Sequence, residues 1–484
     1  MSHAPQEIVI IGGGIAGLSS AYTLQERAAG AGLPLACTII EADRYWGGKI
    51  LTRRVGDWII ESGPDSFLSQ KPWGLELCNK LGLADQLINT NESAKKAFVY
   101  SRGRMRALPE GLVMIVPSKL GPFLRSGLLS WPGMIRMGLD LCIPARRSSE
   151  DESLAGFFRR RLGREAFERF LEPLMAGIYA GDAERMSLGA TFPRFIELEQ
   201  QYGSIIRGIL GERNKRQAGS RPSAPSRTMF VSLREGLSDL VNALVARVQA
   251  GGVSMRLGER VDIVRLGSPR AGRRRYEVVV DSGSVLPADA VILAAPAYAA
   301  ADLVRGLSTE VADLLAEIPY ASTATVSLAY DRANVASAVA GFGFVVPRVE
   351  RRHLRAATWT SVKWNYRAPP SQALIRCYLG GMGLDQTLDR DDGSLVQLVR
   401  EELQTIAGVS AAPIHAEVHR WPRGMPQYHL GHQERLRHIE AALGEHPGLY
   451  LTGAAYRGIG VPDCIRDGTE TADRVLNELT EPNP

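Results

Sequence analysis

Residues 6–11, Gln-Glu-Ile-Val-Ile-Ile, read as a short strand, Gly12-Gly-Gly-Ile-Ala-Gly17 follows, and a helical pattern starts at Leu18. Twenty-four residues past Gly17 a second apolar run, 36–40, ends at Glu41, and Gly47-Gly48 begins six residues later. A strand, a glycine turn, a helix and a second strand ending in an acid make the phosphate-binding unit of a dinucleotide site. Gly12 makes the tight turn, Gly14 leaves room for a pyrophosphate, and Gly17 lets the helix lie close on the strand. The helix N-terminus offers unpaired N–H groups and partial positive charge. Glu41 can accept from ribose hydroxyls, and an acid there disfavours a 2′-phosphate, which argues against NADP.

The continuation separates flavin from nicotinamide. Glu41-Ala42-Asp-Arg44-Tyr-Trp-Gly47-Gly48-Lys49 resembles the E-x5-G-G-R/K signature of the amine-oxidase-like FAD proteins. There the glycine pair lets the chain pass beside the cofactor and a basic residue sits by the phosphates. The usual arginine lies four residues after the glutamate. Here Arg44 lies three after it and Tyr45 takes the fourth place. Near the other end, residues 449–453 read as a buried strand ending in Gly453, and 454–462 lead into a helix. Ile465, Gly468, Ala472, Val475, Leu476 and Leu479 form its inner stripe, and Pro462 suits a first turn. Its positive end, near Gly460, would face the cofactor and stabilise negative charge on a reduced flavin.

A chain of 484 residues is long enough for two or three domains. Apolar content of 45% with 23% charge is that of a globular protein, and a net charge of +5 does not imply nucleic-acid binding. Five scattered cysteines, odd in number and without C-x-x-C, fit reduced thiols in a cytosolic protein. No leader pattern and no transmembrane run are evident. His415 and His419 fall in an apparent strand, and His429 and His432 near a turn. No Cys or acid cluster joins them, so no metal site is expected.

The expected fold is α/β: a Rossmann-like FAD-binding domain, an inserted substrate domain of mixed sheet and helices, and a helical membrane-associating domain. The FAD domain takes residues 1–70, 236–300 and 430–484. The substrate domain takes 71–110, 202–235 and 301–429, and the helical domain 111–201. Strands are read at 253–257, 259–264, 276–280, 290–296, 324–330, 341–347 and 373–379, and a helix from Gly236. The polar stretch 212–228 reads as a surface loop. Residues 111–143 mix apolar runs, Trp131 and several arginines, which suits an interfacial surface on anionic lipid.

Five blocks then match one family in order. Ala176-Gly-Ile-Tyr-Ala-Gly-Asp182 with Ser187 and Phe192-Pro193 resembles the G-I/V-Y-A-G-D…S…F-P block of the oxygen-dependent protoporphyrinogen oxidases. So do residues 61–67, 341–347, 421–428 and 453–468. The resemblance implies an FAD oxidase that takes six electrons from a porphyrinogen and passes them to O2, giving hydrogen peroxide, in haem biosynthesis. Protoporphyrinogen IX is the first substrate reading and coproporphyrinogen III the alternative. The FAD would be non-covalent. Its contacts would fall on Gly12, Gly13, Gly14, Ile15, Ala16, Gly17, Glu41, Ala42, Gly48, Lys49, Gly63, Pro64, Asp65, Ser66, Val261, Trp421, Ile459, Gly460 and Val461. For Val261 the contact would be a backbone bond to adenine. No side chain is assigned as a catalytic acid, base or nucleophile, because the cofactor carries the chemistry.

On the substrate side the resemblance implies Gly177, whose small size leaves room for the tetrapyrrole edge, and Val345. Trp364 stands where many members have a Phe packed on the macrocycle. Animal and plant members place an arginine on a substrate propionate; Ala97 takes that position here, with Lys96 beside it as a candidate point charge. The implied partners are a porphyrinogen, O2, membrane lipid at the inner face of the cell membrane and, as an option, a second copy in a homodimer. An amine oxidase or a carotenoid desaturase would share the FAD motifs but not the Gly177–Asp182 block. A non-catalytic flavin-binding membrane adaptor is the alternative of a different class.

Overall fold

Within the strand Gln6–Ile11, residues 8–11 are all apolar and all buried, which is what a central parallel strand covered on both sides requires. It lies in the middle of a five-stranded parallel sheet ordered Ser254–Leu257, Leu35–Glu41, Gln6–Ile11, Ala290–Leu293 and Leu449–Leu451. Ile8 and Ile10 pack on one face with the helices Ile15–Ala31, Ser238–Ala250 and Val461–Thr480. Val9 and Ile11 pack on the other with the three-stranded sheet 261–288, the helices Ala297–Val304 and Thr309–Ala316, and the helix His432–Leu443. The strand after Gln6–Ile11 lies on one side of it and Ala290–Leu293 on the other, so a crevice opens at their carboxyl ends. The computed structural model behind this description covers residues 5–480 apart from 110–111, 114–115, 118–122, 124, 149, 220–226 and 268–274.

A second, seven-stranded sheet runs His415–Pro426, Tyr320–Asp331, Gln372–Gly380, Ala356–Trp359, Gly343–Val345, Ala97–Ser101 and Arg104–Ala107. It is mixed: Gly343–Val345 pairs with Ala97–Ser101 in parallel, and the other pairs are antiparallel. A third core is helical. Phe157, Phe158, Phe167, Phe170, Leu188, Phe195 and Leu198 are buried there among short helices.

Packing differs from the sequence reading in three places. Residues 212–219 continue the helix Ile205–Gly219 rather than forming a loop; Glu, Arg, Lys and Gln are strong helix formers, so polarity does not exclude a helix. Of the rest of that stretch, 220–226 lie outside the described residues and 227–228 belong to no helix or strand. Ile205 and Ile209 join the helical core, while Leu77, Cys78, Val231 and Leu233 join the core of the parallel sheet. Of the segment edges at 70, 201 and 235, the one at 201 falls inside the helix Pro193–Tyr202, and the other two fall between elements. Within 111–143, Phe123, Leu128, Leu129 and Met137 are buried, and Arg136 caps the helix Leu154–Leu162 by donating to the carbonyls of Arg159, Arg160 and Arg161. Trp131, Ile135 and Leu139, spaced four apart, remain 68%, 67% and 48% exposed. Side chains of Leu112, Val113 and Val116 and the whole of residues 114–115 and 124 lie outside the described part.

Candidate active site

The glycine turn is built by contact. Gly12 has φ +114°, and a Cβ on Gly17 would lie 2.0 Å from the Gly12 carbonyl oxygen, so the helix can approach the turn only without a side chain there. A Cβ on Gly14 would meet no atom within 4 Å: that face of the turn is open. Ile15 and Ala16 begin the helix and are buried below it. Gly47 bridges to Gly14, its N–H donating 2.8 Å to the Gly13 carbonyl, and Gly48 crosses over Gly14. Glu41 accepts from the backbone N–H of Gly13 at 2.6 Å and of Asp43 at 2.8 Å. Burial raises its carboxyl above the usual range against those bonds. Ala42 and Arg44 are exposed beside it.

The C-terminal helix Val461–Thr480 lies parallel to Ile15–Ala31. The Ser20 hydroxyl donates to the Gly468 carbonyl, Thr23 meets Thr469 and Arg27 pairs with Asp473. Gly468 is one residue for which the sequence gives only a helix position; a Cβ there would come 2.3 Å from the Ala16 carbonyl. Parallel helices put both positive ends on the same side. With Gly468 level with Ala16, the second helix, starting at Val461, overhangs the first, starting at Ile15, by six residues, roughly 9 Å at the helical rise. Lys49 lies beside Cys464 under this overhang. Burial lowers its ammonium below the usual lysine range, and no acid is paired with it among the described residues. An open glycine turn, two helix N-termini on the same side and a half-buried cation with no acid paired to it among the described residues fit a flavin dinucleotide.

A second group of residues flanks this crevice. Gly63 sits so close to the Lys49 carbonyl that a Cβ would lie 1.7 Å from its oxygen. Next to Pro64, Asp65 is enclosed with Ser66, Lys363 and Trp364; Lys363 Nζ is 3.1 Å and the Trp364 indole Nε1 3.1 Å from its carboxylate. Burial opposes ionisation of Asp65, but Lys363 and Arg376, with the hydrogen bonds from Ser66 and Trp364, hold it below the usual range. Trp421 donates from its indole to the Ser62 carbonyl at 2.8 Å, and Arg376 donates to the carbonyls of Ser62 and Gly63. Arg376 carries no signal in the sequence, since it is a single charged residue in an otherwise mostly apolar strand; only the pairing of Gln372–Gly380 with Tyr320–Asp331 brings it here. Val261 is buried at the start of its strand in the core against Ile40 and Val9.

The substrate-side residues divide. Gly177 is inside the helix Glu172–Tyr179, exposed, with no atom within 4 Å of a Cβ position. Met175 and Tyr179 of that helix pack in one cluster with Val345 and with Ile459, which precedes Gly460 and Val461 at the C-terminal helix. Ala97 pairs with Gly343 and Val99 with Val345, so Ala97 is two ladder steps from Val345; Lys96 beside it is exposed. Trp364 is apart from this group and fully enclosed, its indole committed to Asp65. Among the described residues no group of His, Cys, Asp and Glu could hold a metal.

The family model "Flavin containing amine oxidoreductase" matches residues 15–476. The coproporphyrinogen III oxidase of Bacillus subtilis (strain 168) is 35% identical over 480 residues, 99% of this chain and 100% of that one. The protoporphyrinogen oxidase of Bos taurus is 33% identical over 495 residues, 98% of this chain and 99% of that one. The crystal structure of a provisionally assigned protoporphyrinogen oxidase from Exiguobacterium sp. 255-15 superposes with a TM-score of 0.86 at 31% identity, covering 99% of this chain and 100% of that one. A putrescine oxidase mutant superposes at 0.69 with 15% identity, covering 98% and 99%, a likeness of fold alone.

Proposed function

Because the chain belongs to the flavin-containing amine oxidoreductase family, we propose that its substrate is a porphyrinogen, oxidised by six electrons to the porphyrin with O2 as acceptor. It is an oxidoreductase and its cofactor is FAD. The glycine turn, Glu41, Lys49, the Gly63–Ser66 segment and the Ile459–Val461 end of the C-terminal helix would hold that cofactor. Bound there, FAD supplies hydride acceptance and reoxidation by O2. The chain supplies orientation and field: two helix N-termini and Lys49 favour negative charge.

The observation that carries the substrate reading is near-full-length likeness to enzymes named for porphyrinogen oxidation; Met175 and Tyr179 of the Gly177 helix share a cluster with Val345 and Ile459, and the Cβ position of Gly177 is open. A flat macrocycle can use such space where a side chain could not. Protoporphyrinogen IX is the primary reading. Coproporphyrinogen III is favoured by a specific observation: the relatives from Bacillus subtilis, Staphylococcus aureus and Propionibacterium freudenreichii that carry its name are 34–35% identical. Ala97, in place of a propionate-facing arginine, leaves both open to Lys96. Turnover of the two porphyrinogens, followed by porphyrin fluorescence, separates them; oxidation of neither overturns the reading.

We place the chain peripherally on the inner face of the cell membrane through Trp131, Ile135 and Leu139. No described helix is long and apolar enough to cross a membrane. The exposed stripe, with Arg147 nearby in sequence, has the composition of an interfacial helix face.

A further inference from the structure

Residues 427–432 touch both halves of the site. The Tyr428 hydroxyl donates to the Ala454 carbonyl at 2.7 Å and accepts from the Gly458 N–H at 2.8 Å. Both partners lie in the loop between Leu449–Leu451 and the C-terminal helix, whose far side is tied down by Asp467, which accepts from the Thr452 hydroxyl and the Gly453 N–H. One face of the Tyr428 ring stacks on His432, with centroids 4.1 Å apart and planes 10° apart, and His432 Nε2 is 3.1 Å from the Tyr456 carbonyl of the same loop. The ring also packs on Tyr179, at 5.6 Å, which ends the helix that carries Gly177. Its neighbour Gln427 donates to the Tyr179 carbonyl, and the Ser187 N–H donates to the Tyr428 carbonyl. Tyr428 is 1% exposed, so none of these bonds competes with water.

We infer that Tyr428 is a positioning residue shared by the two halves of the site. Its hydroxyl fixes the 454–458 turn and with it the Ile459–Val461 edge offered to the flavin, and its ring fixes the helix that carries Gly177. The second half of this inference rests on the porphyrinogen pocket proposed above; the first rests on the flavin site alone. Two hydrogen bonds from one hydroxyl set a turn that leads straight into a helix N-terminus. Loosening the turn moves the donors that stabilise negative charge on the reduced ring.

Tyr428→Phe keeps the ring and removes only the hydroxyl. The holoprotein of this variant should melt cooperatively with FAD bound. Its flavin midpoint potential should become more negative than wild type, and kcat should fall about tenfold with KM within about twofold, the loss of one to two buried hydrogen bonds. Tyr428→Leu, which also removes the stacking surface against Tyr179, should add a rise in KM. A Tyr428→Phe protein with wild-type potential, visible spectrum and kcat would overturn the inference. Because the potential is read without substrate, that result is distinct from a wild-type enzyme that turns over no porphyrinogen, which would overturn the pocket beneath the second half.

Discussion

At the scale of single residues, contacts decide what each site position can do. Glu41 already accepts two backbone N–H bonds, so its oxygens are aimed before any ribose arrives. Glu41→Ala should weaken FAD binding to the apoprotein by about 1–3 kcal/mol, measured by fluorescence quenching on titration; unchanged affinity would remove Glu41 from the site. Gly177 makes a sharper case. It is a helical glycine with open space at its Cβ position, so backbone angles do not require it. Gly177→Ala should stabilise the protein by about 0.5–1 kcal/mol in thermal or urea unfolding, as a gain in helix propensity, while slowing porphyrinogen turnover. Gly177→Leu should cut turnover sharply with the flavin spectrum intact. Stability and activity moving together would place the pocket elsewhere. His432 sets a pH dependence. Burial lowers its imidazole from 6.5 to about 4 despite the Tyr456 carbonyl. The unfolded chain takes up the proton near pH 6.5 and the folded one does not until about pH 4, so stability should fall by about 3 kcal/mol as pH drops through that window. His432→Gln should lack that part of the slope in urea unfolding between pH 7 and 4.

At the scale of elements, local signals were read well where a strand or helix carries its own pattern. Gln6–Ile11, the glycine turn, Leu35–Glu41, Tyr276–Val280 and the C-terminal helix are legible because burial on both faces, a turn that demands glycine, and an apolar stripe leave marks in a few neighbouring residues. The loop reading of 212–228 fails over 212–219, which continue the helix Ile205–Gly219, because charged and polar residues disfavour burial without disfavouring helix. The stretch 111–143 was read as one lipid-facing surface, but apolar composition alone does not tell a side chain facing a bundle from one facing outward. Phe123, Leu128, Leu129 and Met137 face the helical core; Trp131, Ile135 and Leu139 do not. Membrane binding should therefore depend on the second group. Trp131→Glu with Ile135→Glu should abolish flotation with anionic liposomes at low salt while leaving the melting temperature near wild type, since both side chains are about two-thirds exposed. Persistence of flotation would exclude this face.

At the scale of the whole molecule, the site depends on pairings that no short stretch of sequence records. Arg376 and Trp421 reach from the seven-stranded sheet to the same Ser62 carbonyl, and Asp65 is held by Lys363 and Trp364 from the connection between Ala356–Trp359 and Gln372–Gly380 of that sheet. Tyr428 joins the helical core to the flavin-side loop. We propose a three-part organisation from these cores, with Leu77, Cys78, Val231 and Leu233 on the dinucleotide part and Ile205 and Ile209 on the helical part. The sequence reading points to all three parts and already includes Asp65, Trp364, Trp421 and Tyr428, but not Lys363 or Arg376, which no motif marks and which only the folding of the second sheet brings to the site. What the assembly does is tested most directly by mixing the FAD-loaded protein with porphyrinogen without oxygen and then admitting air. The flavin absorbance should bleach with protoporphyrinogen IX or coproporphyrinogen III and return in air, with hydrogen peroxide released and porphyrin fluorescence rising. A flavin that stays oxidised with both porphyrinogens and bleaches with a simple amine would contradict the account.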